Sequence, residues 1–283
     1  MKERFSRILE TCTPYFVSSP LGAIPYPGEA PLGIEVAEEH RYDPHKVASG
    51  DFLHALQRLD ELTFGPVGMT MPRWVFYDCA EVPGGIFGFG RPAAELPDWV
   101  RRGLDVPVDY VGLVPLSMYV AIPMLEAGAW HTYTLCTINE VAPGAAPTNL
   151  GVLTEAAALS IFQVKLAYGA TQWRSRKLKV HSRFGPLELL TAWTPAHSDP
   201  STTTFRFPVE PARIEAALAM DDHPRPSGED IEWIDCDDRE ALVALQTRLE
   251  AGERFELLSG AVSEGDVSRV PIRAMAPGPG GAA

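Results

Sequence analysis

The sequence predicts an α+β fold: a mainly antiparallel, barrel-like β-sheet core around one buried central helix, with a few peripheral helices. Three observations carry this. Pro (26) and Gly (24) are spread over all 283 residues, which suits many strands and turns better than a helical bundle. Strand-like runs come in pairs joined by short turns, so neighbours pair antiparallel. One segment, Leu153 to Tyr168, is apolar nearly all round, the pattern of a helix buried on more than one side. No regular βαβ alternation is present.

The elements follow in order. Residues 1–45 read as an extended surface segment, because Pro14 to Pro31 is rich in Pro and Gly. Ser49 can cap a helix that carries Phe52, Leu53, Leu56, Leu59 and Leu62 at helical spacing. Strands are expected over Trp74–Ala80, Ile86–Phe89, Tyr110–Ile122 and Trp130–Ile138, the last two turned by Glu126-Ala127-Gly128. After the buried helix, which Gly169 stops, come strands Lys177–Phe184 and Leu187–Trp193 about a Gly185-Pro186 turn, then Thr203–Phe207. Pro211 opens a helix through Met220. Asp237 and Glu240 resemble a capping box for a helix with Leu242, Leu245 and Leu249, ended by Gly252. Residues 277–283, Pro-Gly-Pro-Gly-Gly-Ala-Ala, bury nothing and form a flexible tail. Residues 1–276 make one α+β domain.

The formal charge is −13, with 46% apolar and 22% charged residues. That balance excludes global disorder and excludes nucleic-acid binding by bulk charge. The uncharged run Val111 to Leu125 is broken by Pro115 and Pro123, and a span needs about 20 apolar residues. No membrane association is expected. The four cysteines, Cys12, Cys79, Cys136 and Cys236, are far apart and read as buried thiols in a cytoplasmic protein.

The charge is unevenly placed. Ala156 to Leu187 contains no acid and six bases, a local charge of +6, while the rest of the chain carries −19. Within that window Lys177, Lys179, His181 and Arg183 alternate with Leu178, Val180, Ser182 and Phe184. A period of two sets the four basic side chains on one face of a strand. Aligned cations call for an anion: either the protein's own acids, such as the Glu229–Glu240 cluster, or a carboxylate or phosphate ligand. Crowding also depresses a lysine pKa, which turns an amine into a nucleophile for carbonyl substrates.

Other motifs carry less. Gly88-Phe89-Gly90-Arg91-Pro92-Ala93 fits a dinucleotide pattern in letters only. Pro92 and Pro97 leave little helix to receive a pyrophosphate, so close backbone approach at a strand end is the better account. The Ala142–Gly151 loop enters the buried helix but lacks the basic-x-x-Gly-x-Gly signature of acyl-CoA-dependent transferases. His131, His181 and His197, with Glu140 or Asp78, show no metal-ligand spacing. No metal or cofactor is expected, and no serine-hydrolase elbow is present.

Residues 74–195 resemble the acetoacetate decarboxylase-like superfamily. The likeness lies in Val75-Phe76-Tyr77-Asp78, Ala94-Glu95-Leu96-Pro97, the strand pair from Gly112-Leu113-Val114-Pro115 to Glu140, and Ala167-Tyr168-Gly169-Ala170-Thr171-Gln172. The resemblance implies a β-rich α+β fold around a closed apolar cavity, where a lysine forms a Schiff base with a keto acid and carboxylates assist. Gln172 stands where that lysine would fall, and no arginine precedes Asp78. Either Lys165, Lys177 or Lys179 substitutes, or the cavity works without an imine.

The expected function is that of a small-molecule enzyme, lyase or decarboxylase-like, acting on an anionic carbonyl compound in a cavity lined by the basic strand. Lys177 and Lys179 are the candidate amines, with Glu140 and His181 as acid/base groups. Arg174, Arg183, Gln172 and Tyr133 are the candidate substrate-binding residues. An acyl-CoA-dependent acyltransferase and a non-catalytic ligand-binding or structural subunit are the alternatives, and a homo-oligomer is compatible with each.

Overall fold

The computed structural model describes residues 3–19, 31–74, 84–197, 199–220, 228–264 and 267–276. They fall into two compact units, Met1–Val164 and Lys165–Ala283. Each unit packs helices on a sheet whose described pairs are antiparallel, with one exception, so the α+β class holds.

In the first unit α1 (Glu3–Thr11), β1 (Thr13–Val17), β2 (Arg41–Tyr42) and α2 (Gly50–Phe64) precede β3 (Gly85–Pro92) and α3 (Asp98–Gly103). Then come β4 (Leu113–Pro123), β5 (Ala129–Thr137) and α4 (Leu150–Ile161). The strand order is β5-β4-β3-β1-β2, antiparallel except for β1–β2. The β4–β5 hairpin forms about residues 126–128 as expected, with Gly128 at φ 82°. Among the described residues this path is open and does not close into a barrel.

Helix α4 is the buried central helix, packed on β3, β4 and β5, with Leu153, Ala156, Ala157 and Ala158 at 0% exposure. A buried polar knot fixes it to the sheet. Thr154 Oγ1 donates to Ser117 Oγ at 2.7 Å, Ser117 Oγ accepts the Phe89 N–H at 3.1 Å, and Tyr15 Oη donates to the Ser117 carbonyl at 2.6 Å. Gly88 makes room for that phenol, because a Cβ there would collide with the Tyr15 hydroxyl and the Ser117 carbonyl. The Gly88-Phe89-Gly90 run is thus a site of close backbone approach, with a register shift between Phe89 and Gly90.

The second unit holds β6 (Leu166–Gln172), α5 (Lys177–His181), β7 (Leu187–Thr191), β8 (Thr202–Pro208) and α6 (Pro211–Ala219). It continues with β9 (Ile231–Asp235), α7 (Arg239–Glu250), β10 (Phe255–Leu257), β11 (Val262–Glu264) and β12 (Val267–Ala274). The order is β11-β12-β10-β7-β8-β6, with β9 on β12. Its core gathers Trp173, Phe184, Leu187, Phe205, Phe207, Leu257 and Ile272, each at 1% exposure or less.

Several expectations are corrected. The central helix ends at Ile161, not Tyr168. Val164 N–H reaches back to the Leu159 carbonyl at 3.0 Å and Gln163 N–H to the Ser160 carbonyl at 3.2 Å, with Gln163 at φ 51°. This is a Schellman stop, and the usual glycine signal is absent because glutamine holds the left-handed position. Residues 177–181 form a helix, not a strand: Leu178, His181 and Phe184 are buried at a spacing of three, so the alternation of bases and apolar residues was not a pleat. Gly185-Pro186 therefore turns no hairpin. Residues 1–45 are not simply an extended surface segment, since Phe5, Ile8, Tyr15, Phe16 and Val17 are at most 2% exposed. Ser49 precedes α2 without a side-chain capping bond. Asp238, one residue after the expected cap, accepts the Glu240 and Ala241 N–H groups at 2.9 and 3.1 Å. The strand expected over Trp74–Ala80 and the tail 277–283 lie outside the described residues, except for Trp74 itself.

Candidate functional site

The expected basic face does not exist as a face. Lys177 opens α5, its N–H donating to Ser175 Oγ at 3.1 Å, and is half-buried. Lys179 is exposed, and its backbone lies so close to Gly260 that a Cβ there would stand 2.8 Å from the Lys179 nitrogen. His181 is buried instead. It is 4% exposed, with its ring 5.3 Å from that of Phe205 and 6.3 Å from that of Phe207. The histidine counts with the apolar face of a one-turn helix, so it is not aligned with Lys179, two residues before it.

The remaining candidates divide. Arg174 forms an ion pair with Asp237, so one base of the acid-free window is answered by the protein's own acidic cluster. Gln172 Nε2 donates to Asp199 Oδ2 at 2.7 Å. Asp199 is held below the usual carboxylate range, first by the Ser201 hydroxyl and further by Gln172 and His197. Tyr133 and Glu140 belong to the first unit. Tyr133 is exposed on β5, its ring edge-on to His131 at 5.8 Å. Glu140 closes its own turn, with Oε1 accepting the Thr137 N–H at 2.8 Å in a capping box. The loop after it also turns inward: the Asn139 amide donates to the Ala146 carbonyl at 2.8 Å and accepts its N–H at 2.9 Å.

Arg183 lines a cavity. A space of about 330 Å³ opens in the second unit between the segment after α5 and the helix α6. Ser182 and Arg183 border it, with Arg213 and Met220 from α6 and the residue after it, and Glu256 and Leu257 from β10. Among the described residues Arg213 holds a long contact to Glu210, 3.4 Å from Nε to Oε2, and that glutamate is exposed. Glu256 is answered by Arg273 Nη1 at 3.2 Å. Two arginines therefore border the space, and Glu256, the one acid among its described lining residues, is paired with Arg273. The walls are otherwise apolar, the usual make-up of a small-molecule pocket.

Three further groups carry no signal in periodicity. Arg213 sits in an ordinary amphipathic helix. Glu155 is 0% exposed in α4, where its charge, after burial itself, helps drive the Tyr119 phenol far above its usual range. Asp60 is 1% exposed in α2, and burial pushes its carboxyl up to about 6. Each was hidden inside a helix whose apolar pattern was otherwise regular.

Among the described residues, no three His, Cys, Asp or Glu side chains stand close enough to hold a metal ion. No helix among them is long and apolar enough to cross a membrane. Cys12, Cys136 and Cys236 are buried thiols. Burial, then the charges of Asp237 and Asp235, pushes Cys236 up to about 12, which keeps it unreactive. No protein-family model matches the chain, and no curated protein sequence matches it.

Proposed function

We propose that the second unit binds a small organic anion with an apolar body, its carboxylate held by Arg183 and Arg213. The observation that carries this is the pair of guanidinium groups on the wall of an apolar cavity of about 330 Å³. Guanidinium groups match a carboxylate in both charge and hydrogen-bond geometry. Ser182 adds a hydroxyl at the rim, and Met220, Leu257 and Leu258 receive the hydrocarbon part. The resemblance of residues 74–195 to a family that handles keto acids supports the same ligand class. Three buried thiols support a reducing, cytoplasmic setting.

No lysine is among the described residues of that cavity, so the reading is recognition of the anion rather than imine formation. Calorimetric titration with butyrate, 2-oxobutyrate and acetoacetate tests it. Saturable binding that weakens about tenfold in Arg213→Gln is expected. Wild-type affinity in both Arg213→Gln and Arg183→Gln, or no binding of any probe, overturns it. Borohydride added to the keto acid complexes is expected to leave Lys177 and Lys179 unmodified by intact mass.

A further inference from the structure

A second cavity, in the first unit, has the opposite layout. It measures about 320 Å³ and lies between one face of α2 and the residues Thr70 to Arg73. His54, Gln57, Arg58 and Glu61 recur at the helical spacing that sets them on one face. The opposite wall is tied to the helix from beneath, where Asp60 Oδ2 accepts the Met71 N–H at 2.8 Å.

The inner part of this site holds a buried acceptor without a donor among the described residues. Gln57 is 5% exposed and lines the cavity. Its Nε2 makes a long bond to Glu61 Oε1 at 3.4 Å, and its Oε1 accepts no hydrogen bond. Asp60 Oδ1, on the same helix, accepts none either among the described residues. A buried acceptor left unsatisfied is costly, and in native structures such an atom usually has a partner that occupies it. Of the cavity's arginines, Arg58 pairs with Glu61 at 2.9 Å and with Asp105 at 3.1 Å, although its buried Nε makes no hydrogen bond among the described residues. At the mouth the chemistry reverses. Arg73 and His54 are exposed there, and Arg73 has no ion-pair partner among the described residues.

We propose that this cavity binds a small zwitterion of the amino-acid type, its ammonium group donating to Gln57 Oε1 and Glu61 and its carboxylate meeting Arg73 and His54. Acceptors inside and cations outside reject a simple anion, which would meet Glu61, and a simple cation, which would meet Arg73. The ligand class differs from that of the second unit, so the two sites are tested separately.

The test is calorimetric titration of the full chain with L-alanine, L-glutamine, trimethylglycine and acetate. Trimethylglycine keeps both charges but has no N–H donor, and acetate lacks the ammonium group. Saturable binding of one or both amino acids is expected, at least tenfold tighter than either control. Gln57→Leu is expected to lose about tenfold, and Arg73→Gln, an exposed change with no packing to disturb, to weaken amino-acid binding severalfold. Circular dichroism checks the fold of each variant. If Gln57→Leu does not fold, Glu61→Gln, a half-exposed conservative change, takes its place with the same expected loss. Equal affinity for all four probes, no binding of any, or wild-type affinity in both Arg73→Gln and the folded helix variant overturns the proposal.

Discussion

Gly185 leaves open the space that the Arg213 guanidinium uses: a Cβ at residue 185 would stand 2.9 Å from Arg213 Nη1 and 3.4 Å from the Pro208 carbonyl. The backbone is rigid, and the arginine end is free to move. Gly185→Ala is therefore expected to shift Arg213 and weaken carboxylate binding severalfold, while costing about 1–2 kcal/mol of stability because residue 185 holds a conformation unsuited to side chains. Titration calorimetry and urea unfolding of the same variant measure the two effects. Unchanged affinity would show that Arg213 does not need this space to hold its ligand.

Glu188 on β7 lies between two arginines, accepting from Arg206 Nε at 2.7 Å and from Arg254 at 2.9 and 3.0 Å. Burial alone would raise its pKa, but the hydrogen bonds from Arg206 and Arg254 outweigh that and hold it below its ordinary 4.5. A lowered carboxylate contributes stability above its unfolded pKa and loses it as pH falls through the folded value. Glu188→Gln is expected to cost about 2 kcal/mol at pH 7, less than for a fully buried pair because both arginines are a third exposed. Urea unfolding at pH 7 and pH 3 should show the difference shrinking at the lower pH.

Asp60 runs the other way. Burial, against the Met71 N–H and helped by Glu61, raises its carboxyl from 3.8 to about 6. A raised carboxyl stabilises the fold below its unfolded pKa and loses that contribution as pH rises through the folded value. The wild type is expected to lose about 2 kcal/mol between pH 4.5 and pH 7.5 from this group. Asp60→Asn removes the slope and keeps an oxygen for the Met71 N–H. Unfolding free energies at pH 4.5 and pH 7.5 check it; a variant with the wild-type slope would contradict it.

Gln163 holds the left-handed position that ends α4, at φ 51°. A glycine there relieves about 1–2 kcal/mol of strain and returns part of it as chain entropy. Gln163→Gly is expected to stabilise the protein by about 0.5–1 kcal/mol, read as a higher midpoint in thermal unfolding.

Much of the fold was legible because burial writes its period into the chain. Phe52, Leu56 and Leu59 marked α2, Pro211 marked the start of α6, and the turn at 126–128 marked the β4–β5 hairpin. The misses have local causes. Gln163 stops a helix without the glycine that announces such a stop. Lys177 to His181 alternates like a strand only because His181, written as polar, packs against Phe205 as an apolar ring. The site was less legible for a related reason. Of the basic window only Arg183 borders the cavity, and its partner Arg213 comes from a helix 30 residues later, a juxtaposition that spacing along the chain does not encode. Asp60 and Gln57 were hidden the same way, as polar residues on a helix with a sound apolar face.

A double-mutant cycle on Arg183 and Arg213 tests the shared carboxylate site most directly. The affinity for 2-oxobutyrate is measured in the wild type, Arg183→Gln, Arg213→Gln and the double variant. If both guanidinium groups hold one carboxylate, each single change weakens binding about tenfold and the double change falls short of the product of the two, a coupling above about 0.5 kcal/mol. Additive losses would place the two arginines on separate contacts, and wild-type affinity in the double variant would contradict the anion site altogether.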